Sequence, residues 1–252
     1  MTTFRHSGRM GDIFYSLYWC LHVTHGEPFD LILRTGVSAW DPSNRPHMME
    51  RADAAFMLPL LLVQPYIRGV RIVGIGDPLP DDCVNLDAFR ENFYAVCSRE
   101  IRLWYYPQSV NHSDEFFAPV LSAPDPPKPC GRIAICFTPR YKECFDVGIL
   151  SPFRDELVFI GLKSEHEAFC RQHFPVEYHP IENALDMLRF LQSCRGMIGN
   201  VSGTFAIAEC AKILRILCLE QSKNNVRVYG NGREAYTQHE LETFFNEMRS
   251  KL

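Results

Sequence analysis

The sequence predicts an α/β protein with parallel sheets, and three observations carry that expectation. Short apolar strands alternate with helical segments through most of the 252 residues, and such alternation builds parallel sheets through crossover connections. The alternation occurs on both sides of a proline-rich stretch, Ser122-Ala123-Pro124-Asp125-Pro126-Pro127-Lys128-Pro129-Cys130-Gly131, which reads as an extended, semi-rigid linker. The third is Gly196-Met197-Ile198-Gly199-Asn200-Val201-Ser202-Gly203-Thr204-Phe205-Ala206-Ile207-Ala208-Glu209: a short strand, a tight loop of small polar residues, and the first turns of a helix.

Taken in order, residues 4–6 end a first strand. The loop His6-Ser7-Gly8-Arg9-Met10-Gly11-Asp12 follows, and Ile13, Phe14, Leu17, Tyr18 and Leu21 then recur at helical intervals. Residues 29–33 read as a strand, 40–46 as a loop, 48–63 as a helix broken or kinked at Pro59, and 70–75 as a strand. Residues 86–94 suit a helix, and the aromatic run 101–106 fits neither pattern. Beyond the linker, strands are expected at 132–137, 157–160, 176–178, 197–198 and 214–219. Helices are expected at 164–173 with Ser164 as N-cap, at 183–194, at 203–212 and at 237–251. The division is therefore an N-terminal unit 1–122, a linker 123–131 and a C-terminal unit 132–252, with the last helix free to pack back on the N-terminal unit.

The totals narrow the function. The formal net charge of -4 argues against a general nucleic-acid binder. Ten cysteines form no CxxC pair, so buried free thiols in a reducing cytoplasm are expected rather than disulfides or metal sites. No basic-then-apolar leader opens the sequence, and the run 54–63 is too short to span a bilayer. A soluble, cytoplasmic protein is expected.

In open α/β sheets ligands bind beyond the carboxyl ends of the strands. The start of a helix carries unpaired N–H groups and partial positive charge, which attract phosphate. Ser202 suits an N-cap, and Gly203 admits close approach to the backbone. Glu209 lies seven residues beyond Ser202, about 10 Å along a helix and on nearly the same face, where a sugar hydroxyl of one nucleotide would reach it. Asp12, where the first loop enters a helix, either caps that helix or serves as an ionised general base. Arg140 and Lys142 bring two cations to a loop that either is solvated or grips a diphosphate, and Arg9 has a similar part near Asp12. Asp81-Asp82 is not a metal-gripping Asp-x-Asp, no metal constellation is found elsewhere, and no Walker, G-x-G-x-x-G or G-x-S-x-G motif occurs.

Gly11-Asp12-Ile13-Phe14-Tyr15-Ser16-Leu17 resembles the Gly-Asp-hydrophobic motif near the start of family 9 glycosyltransferases, the ADP-heptose lipopolysaccharide heptosyltransferase group. Met197-Ile198-Gly199-Asn200-Val201-Ser202-Gly203-Thr204 is similar to that family's C-terminal nucleotide-binding loop. The resemblance covers the first helix and most of the chain after Arg132. It implies a GT-B architecture of two Rossmann-like domains facing a central cleft. A nucleotide-sugar donor would sit mainly on the C-terminal domain and a glycan or glycolipid acceptor on the N-terminal one, with no metal or other cofactor. Asp12 matches the catalytic base. Asn200, Ser202, Gly203 and Thr204 match donor phosphate contacts, Glu209 suits a ribose contact, and Arg140 and Lys142 lie near an expected donor-phosphate cation. Arg9 and Gly11 are further phosphate or acceptor candidates. The family usually has Asp where Val201 stands and often His where Ala206 stands, which leaves heptose and ADP open as sugar and nucleotide. The implied activity is hexosyl or heptosyl transfer in lipopolysaccharide or polysaccharide synthesis, with at most peripheral membrane contact and no nucleic-acid partner. A non-catalytic nucleotide-sugar-binding protein and a GT-B-type epimerase are the alternatives.

Overall fold

The structure is a computed structural model that describes residues 2–36, 49–92, 99–106, 113–125, 127–139, 146–219 and 225–250. Two parallel sheets organise it. The first takes β1 (Thr3–His6), β2 (Phe29–Arg34), β3 (Ile67–Val73) and β4 (Val84–Asn85) in the order β3-β2-β1-β4. The second takes β5 (Ile133–Cys136), β6 (Leu157–Phe159), β7 (Gly196–Gly199), β8 (Arg215–Cys218) and β9 (Gly232–Ala235) in the order β6-β5-β7-β8-β9. Every strand pairing among these is parallel.

The helices are α1 (Met10–Thr24), α2 (Arg51–Leu62), α3 (Lys163–Gln172), α4 (Ala184–Ser193), α5 (Gly203–Cys210) and α6 (Gln238–Ser250). Period-two alternation in the second sheet sorts them. Ala134, Cys136, Met197 and Leu217 face a core shared with α1, α2, α4 and α5. Ile133, Ile135, Ile198 and Ile216 face a second core closed by α3, α6 and the 3-10 helix Val147–Glu156. Two helical layers thus lie between the sheets, with α1 against α5 and α2 against α4. The first core runs through both halves without a break, from Phe4 and Leu33 to Phe205 and Leu217. The linker is held at both ends. Gln64 exchanges hydrogen bonds with Ser122, and the Cys130 amide donates to Ser193 O at 2.9 Å.

Several expectations change. α6, which the sequence leaves free to return to the N-terminal unit, packs on the second sheet through Leu241, Phe245 and Met248, and Arg249 holds Glu156 there. Pro59 sits inside α2 without ending it. Ser164 is not a cap: Leu162 precedes α3, and Glu165 accepts from its amide. Residues 86–92 and 101–104 form 3-10 helices, and 176–178 contributes one bridge, Phe159 to Tyr178. The two-residue β4 and the Arg-Glu-containing β9 lack the apolar alternation that marks a strand. The loop expected at 40–46 lies outside the described residues.

Candidate active site at the start of two helices

The carboxyl ends of β1 and β7 lead into α1 and α5, and the starts of these two helices meet. At Gly203 the two come close: a Cβ there would stand 2.1 Å from Met10 Cε, the far end of a flexible side chain that would have to shift. One turn on, Gly11 faces Ala206, with 3.8 Å between an ideal Cβ and the Ala206 Cβ. The space expected for a ligand beside Gly203 is therefore occupied by a side chain from the other half. Gly203 serves helix-to-helix approach.

Asp12 is the third residue of α1. Its Oδ2 accepts from the Arg9 amide at 3.1 Å and from Arg90 Nη2 at 3.4 Å. Oδ1 has no hydrogen-bond partner among the described residues, and the side chain keeps 21% of its surface exposed. The carboxylate thus caps the helix with one oxygen and leaves the other uncommitted, so the two sequence readings of Asp12 are compatible. Gly8 makes room for it: a Cβ there would lie 2.7 Å from Asp12 Oδ2 and 2.6 Å from His6 Cε1. Arg9 is exposed at the same turn.

Behind Asp12 runs a closed ring of polar contacts that the sequence did not disclose. Arg90 Nε donates to Asp87 Oδ1 at 3.3 Å, and Asp87 Oδ1 lies 3.0 Å from His6 Nδ1. His6 Nε2 meets Tyr105 Oη at 3.0 Å, and the Tyr105 hydroxyl donates to Asp12 O at 3.0 Å. Ser7 adds its amide and hydroxyl to Asp87 Oδ2. Burial works against ionisation of Asp87, but His6, Arg90 and Ser7 outweigh it and hold the carboxyl well below the usual range. Burial likewise opposes the charge on Arg90, and Asp12 and Asp87 more than restore it. Burial, reinforced by Asp12, pushes the Tyr105 phenol up. The only local signal for Asp87 is its place just past β4, and a two-residue strand has no periodicity to mark it.

On the C-terminal side, Ser202 is the N-cap of α5, its Oγ accepting from the Phe205 amide at 3.1 Å. The amides of Gly203 and Thr204 take no hydrogen bond among the described residues, as expected at a helix start. Thr204 itself is buried. Beneath them Cys136 is pushed up to about 12 by burial. Asn200 is buried with its amide committed: Oδ1 accepts from Thr138 N and Nδ2 donates to Thr138 O, both at 2.9 Å. That side chain extends the β5–β7 pairing by one rung. Arg140 and Lys142 lie outside the described residues.

Glu209 is corrected outright. It is fully buried, and its carboxylate accepts from Arg102 Nη1 at 3.0 Å, Lys212 Nζ at 2.6 Å and Arg215 Nε at 2.5 Å. No sugar hydroxyl reaches it. Arg102 comes from the first half, where Glu100 also holds it at 2.8 Å; the rings of Tyr15 and Phe116, with Tyr229 from the second half, surround its guanidinium. The cluster therefore joins the halves, as a buried ion network requires several charges to satisfy one another.

Among the described residues no group of three or more His, Cys, Asp and Glu is placed to hold a metal ion. No described helix is long and apolar enough to cross a membrane.

No family profile and no curated protein matches the sequence. Solved structures do match its fold. The glycosyl transferase family 9 structure from Veillonella parvula DSM 2008 superposes with a TM-score of 0.59 at 8% identity, over 100% of this chain and 89% of that one. E. coli heptosyltransferase WaaC with ADP-2-deoxy-2-fluoro heptose gives 0.48 at 13% identity, over 98% and 99% of the two chains. WaaC with ADP gives 0.44 at 14%, over 98% and 97%. Two parallel sheets with helices between them, matched along the whole chain by the first of these structures, give this protein a GT-B-like α/β fold similar to that of the Veillonella parvula structure.

Proposed function

We propose that the protein is a glycosyltransferase that moves a sugar from a nucleotide-diphosphate donor to a hydroxyl on a glycan or glycolipid acceptor. One observation carries the reading. The starts of α1 and α5 converge beyond the ends of β1 and β7, with a half-committed carboxylate at Asp12 on one and two unbonded amides at Gly203 and Thr204 on the other. The likeness in fold to a family 9 glycosyl transferase supports it.

In this reading Asp12 Oδ1 takes the proton of the acceptor hydroxyl as its oxygen attacks the anomeric carbon. The bond from that carbon to the diphosphate breaks, and the electron pair leaves with the phosphate. The amides at the start of α5 meet the growing charge. Arg140 and Lys142 are assigned to the same diphosphate. Arg90 holds the Asp12 carboxylate and Tyr105 its backbone carbonyl, with Asp87 and His6 behind them. The step uses no metal. The Met10 side chain has to swing away from Gly203 for the diphosphate to seat.

A second reading, a nucleotide-sugar-binding protein without transfer, rests on Val201 and Ala206, which stand where the resembled family usually has Asp and often His. Thermal-shift measurements with ADP, GDP, UDP and CDP, followed by incubation with the matching nucleotide sugars, separate the two. A melting-point rise with slow donor hydrolysis or transfer supports the enzyme; a rise without turnover supports the binder; no rise with any diphosphate overturns both.

A further inference from the structure

Two thiols at the far end of the linker belong to none of the machinery above. Cys130 closes the proline-rich segment, and Cys194 follows the last residue of α4. Their sulfurs lie 3.6 Å apart. The Cys130 amide is bonded to Ser193 O, so the backbone beside one thiol is tied to the residue before the other. Cys130 is exposed and Cys194 half-buried. The remaining described cysteines differ: Cys20, Cys136, Cys210 and Cys218 are buried, while Cys83 and Cys170 are half-buried with no second thiol in contact among the described residues.

We propose that Cys130 and Cys194 form a modification site, a dithiol that closes to a disulfide in the presence of a low-molecular-weight disulfide and reopens in excess thiol. The proposal is independent of the glycosyltransferase reading. Cys130 is the attacking sulfur because it is the exposed one. Burial works to raise its thiol, but hydrogen bonds with Ser193, the Arg132 amide and Cys194 hold it below the ordinary range. Burial, with Cys130 beside it, pushes the Cys194 thiol up, and Cys194, the half-buried sulfur, is the resolving one.

In the first step the Cys130 thiolate attacks one sulfur of glutathione disulfide. A mixed disulfide forms and one glutathione thiolate leaves. Cys194 then loses its proton and attacks Cys130 Sγ, and the second glutathione thiolate departs. Two protein thiols are oxidised by two electrons, and one small disulfide is reduced to two thiols. The product closes a loop over a sequence separation of 64 residues. With Ser122 already bonded to Gln64, it would fix the linker covalently at its second end, against the helix that packs on α2.

The test uses the full chain, equilibrated at graded ratios of reduced and oxidised glutathione, blocked with N-ethylmaleimide, digested and mass-mapped. The expected product of oxidising mixtures is a Cys130–Cys194 linked peptide pair lacking two hydrogens, lost again in reducing mixtures. Oxidation is expected to raise the melting temperature by several degrees, and the rise is absent in Cys130→Ser and Cys194→Ser. Cys194→Ser is expected to trap glutathione on Cys130. Alkylation of both thiols in the most oxidising mixture, a stable glutathione adduct on Cys130 of the unaltered chain, or a melting-point rise that survives both substitutions would overturn the assignment.

Discussion

Arg102 and Glu209 meet at 3.0 Å across 107 positions of sequence, and both are fully buried. Glu209 is the shared counterion of Arg102, Lys212 and Arg215. Removing one member of a buried network leaves the others uncompensated, which costs about 3–5 kcal/mol. Glu209→Gln is therefore expected to lower the urea midpoint sharply, with both halves unfolding together because the network and the first core span them. A variant of ordinary stability that loses only nucleotide binding would return Glu209 to the ligand.

Asp87 offers a pH signature. Its carboxyl titrates below its unfolded value, so its contribution is fully present above the unfolded pKa of about 3.9 and is lost as pH falls toward the depressed folded value. Asp87→Asn is expected to cost about 2–3 kcal/mol at neutral pH by removing the negative charge that His6, Arg90 and Ser7 face. The difference between the two proteins in denaturant melts narrows below about pH 4. A gap that stays constant into acid would remove Asp87 from the ionised ring.

Asp12→Asn is expected to reduce transfer about 100-fold or more while nucleotide affinity changes little, since a general base contributes about that much. Arg90→Ala is expected to lower kcat through misplacement of Asp12, and Arg90→Lys to recover part of it because a point charge replaces a fork. Equal loss of donor binding and turnover in Asp12→Asn, read by calorimetry beside kinetics, would leave Asp12 a cap alone.

Gly203→Leu forces a branched side chain onto Met10 and is expected to destabilise by about 1–3 kcal/mol. Met10→Ala in the same chain opens room and restores much of that loss, which a double-mutant cycle reads directly. Independent effects at the two positions would mean the helix starts are not in contact in solution.

Much of the fold was legible because strand and helix periodicity are local. The strands carrying Phe4, Ile135 and Ile198, the helix starts at Asp12 and Ser202, and the proline-rich join all stand in the sequence as patterns of a few residues. β4 and β9 were not legible, being short and polar; a helix around Asp87 was, but its 3-10 form and the partners of Asp87 and Arg102, which lie far along the chain, were not.

The sequence by itself determined the parallel α/β class, the cap at Ser202 and the carboxylate at the first helix start, because each follows from neighbours within a turn or two. Only the tertiary structure decided that Glu209 binds arginines instead of sugar, that Gly203 admits Met10, and that Asn200 pairs with Thr138. The fate of a polar side chain depends on which distant groups share its burial, and a buried charge is committed to whatever neutralises it first.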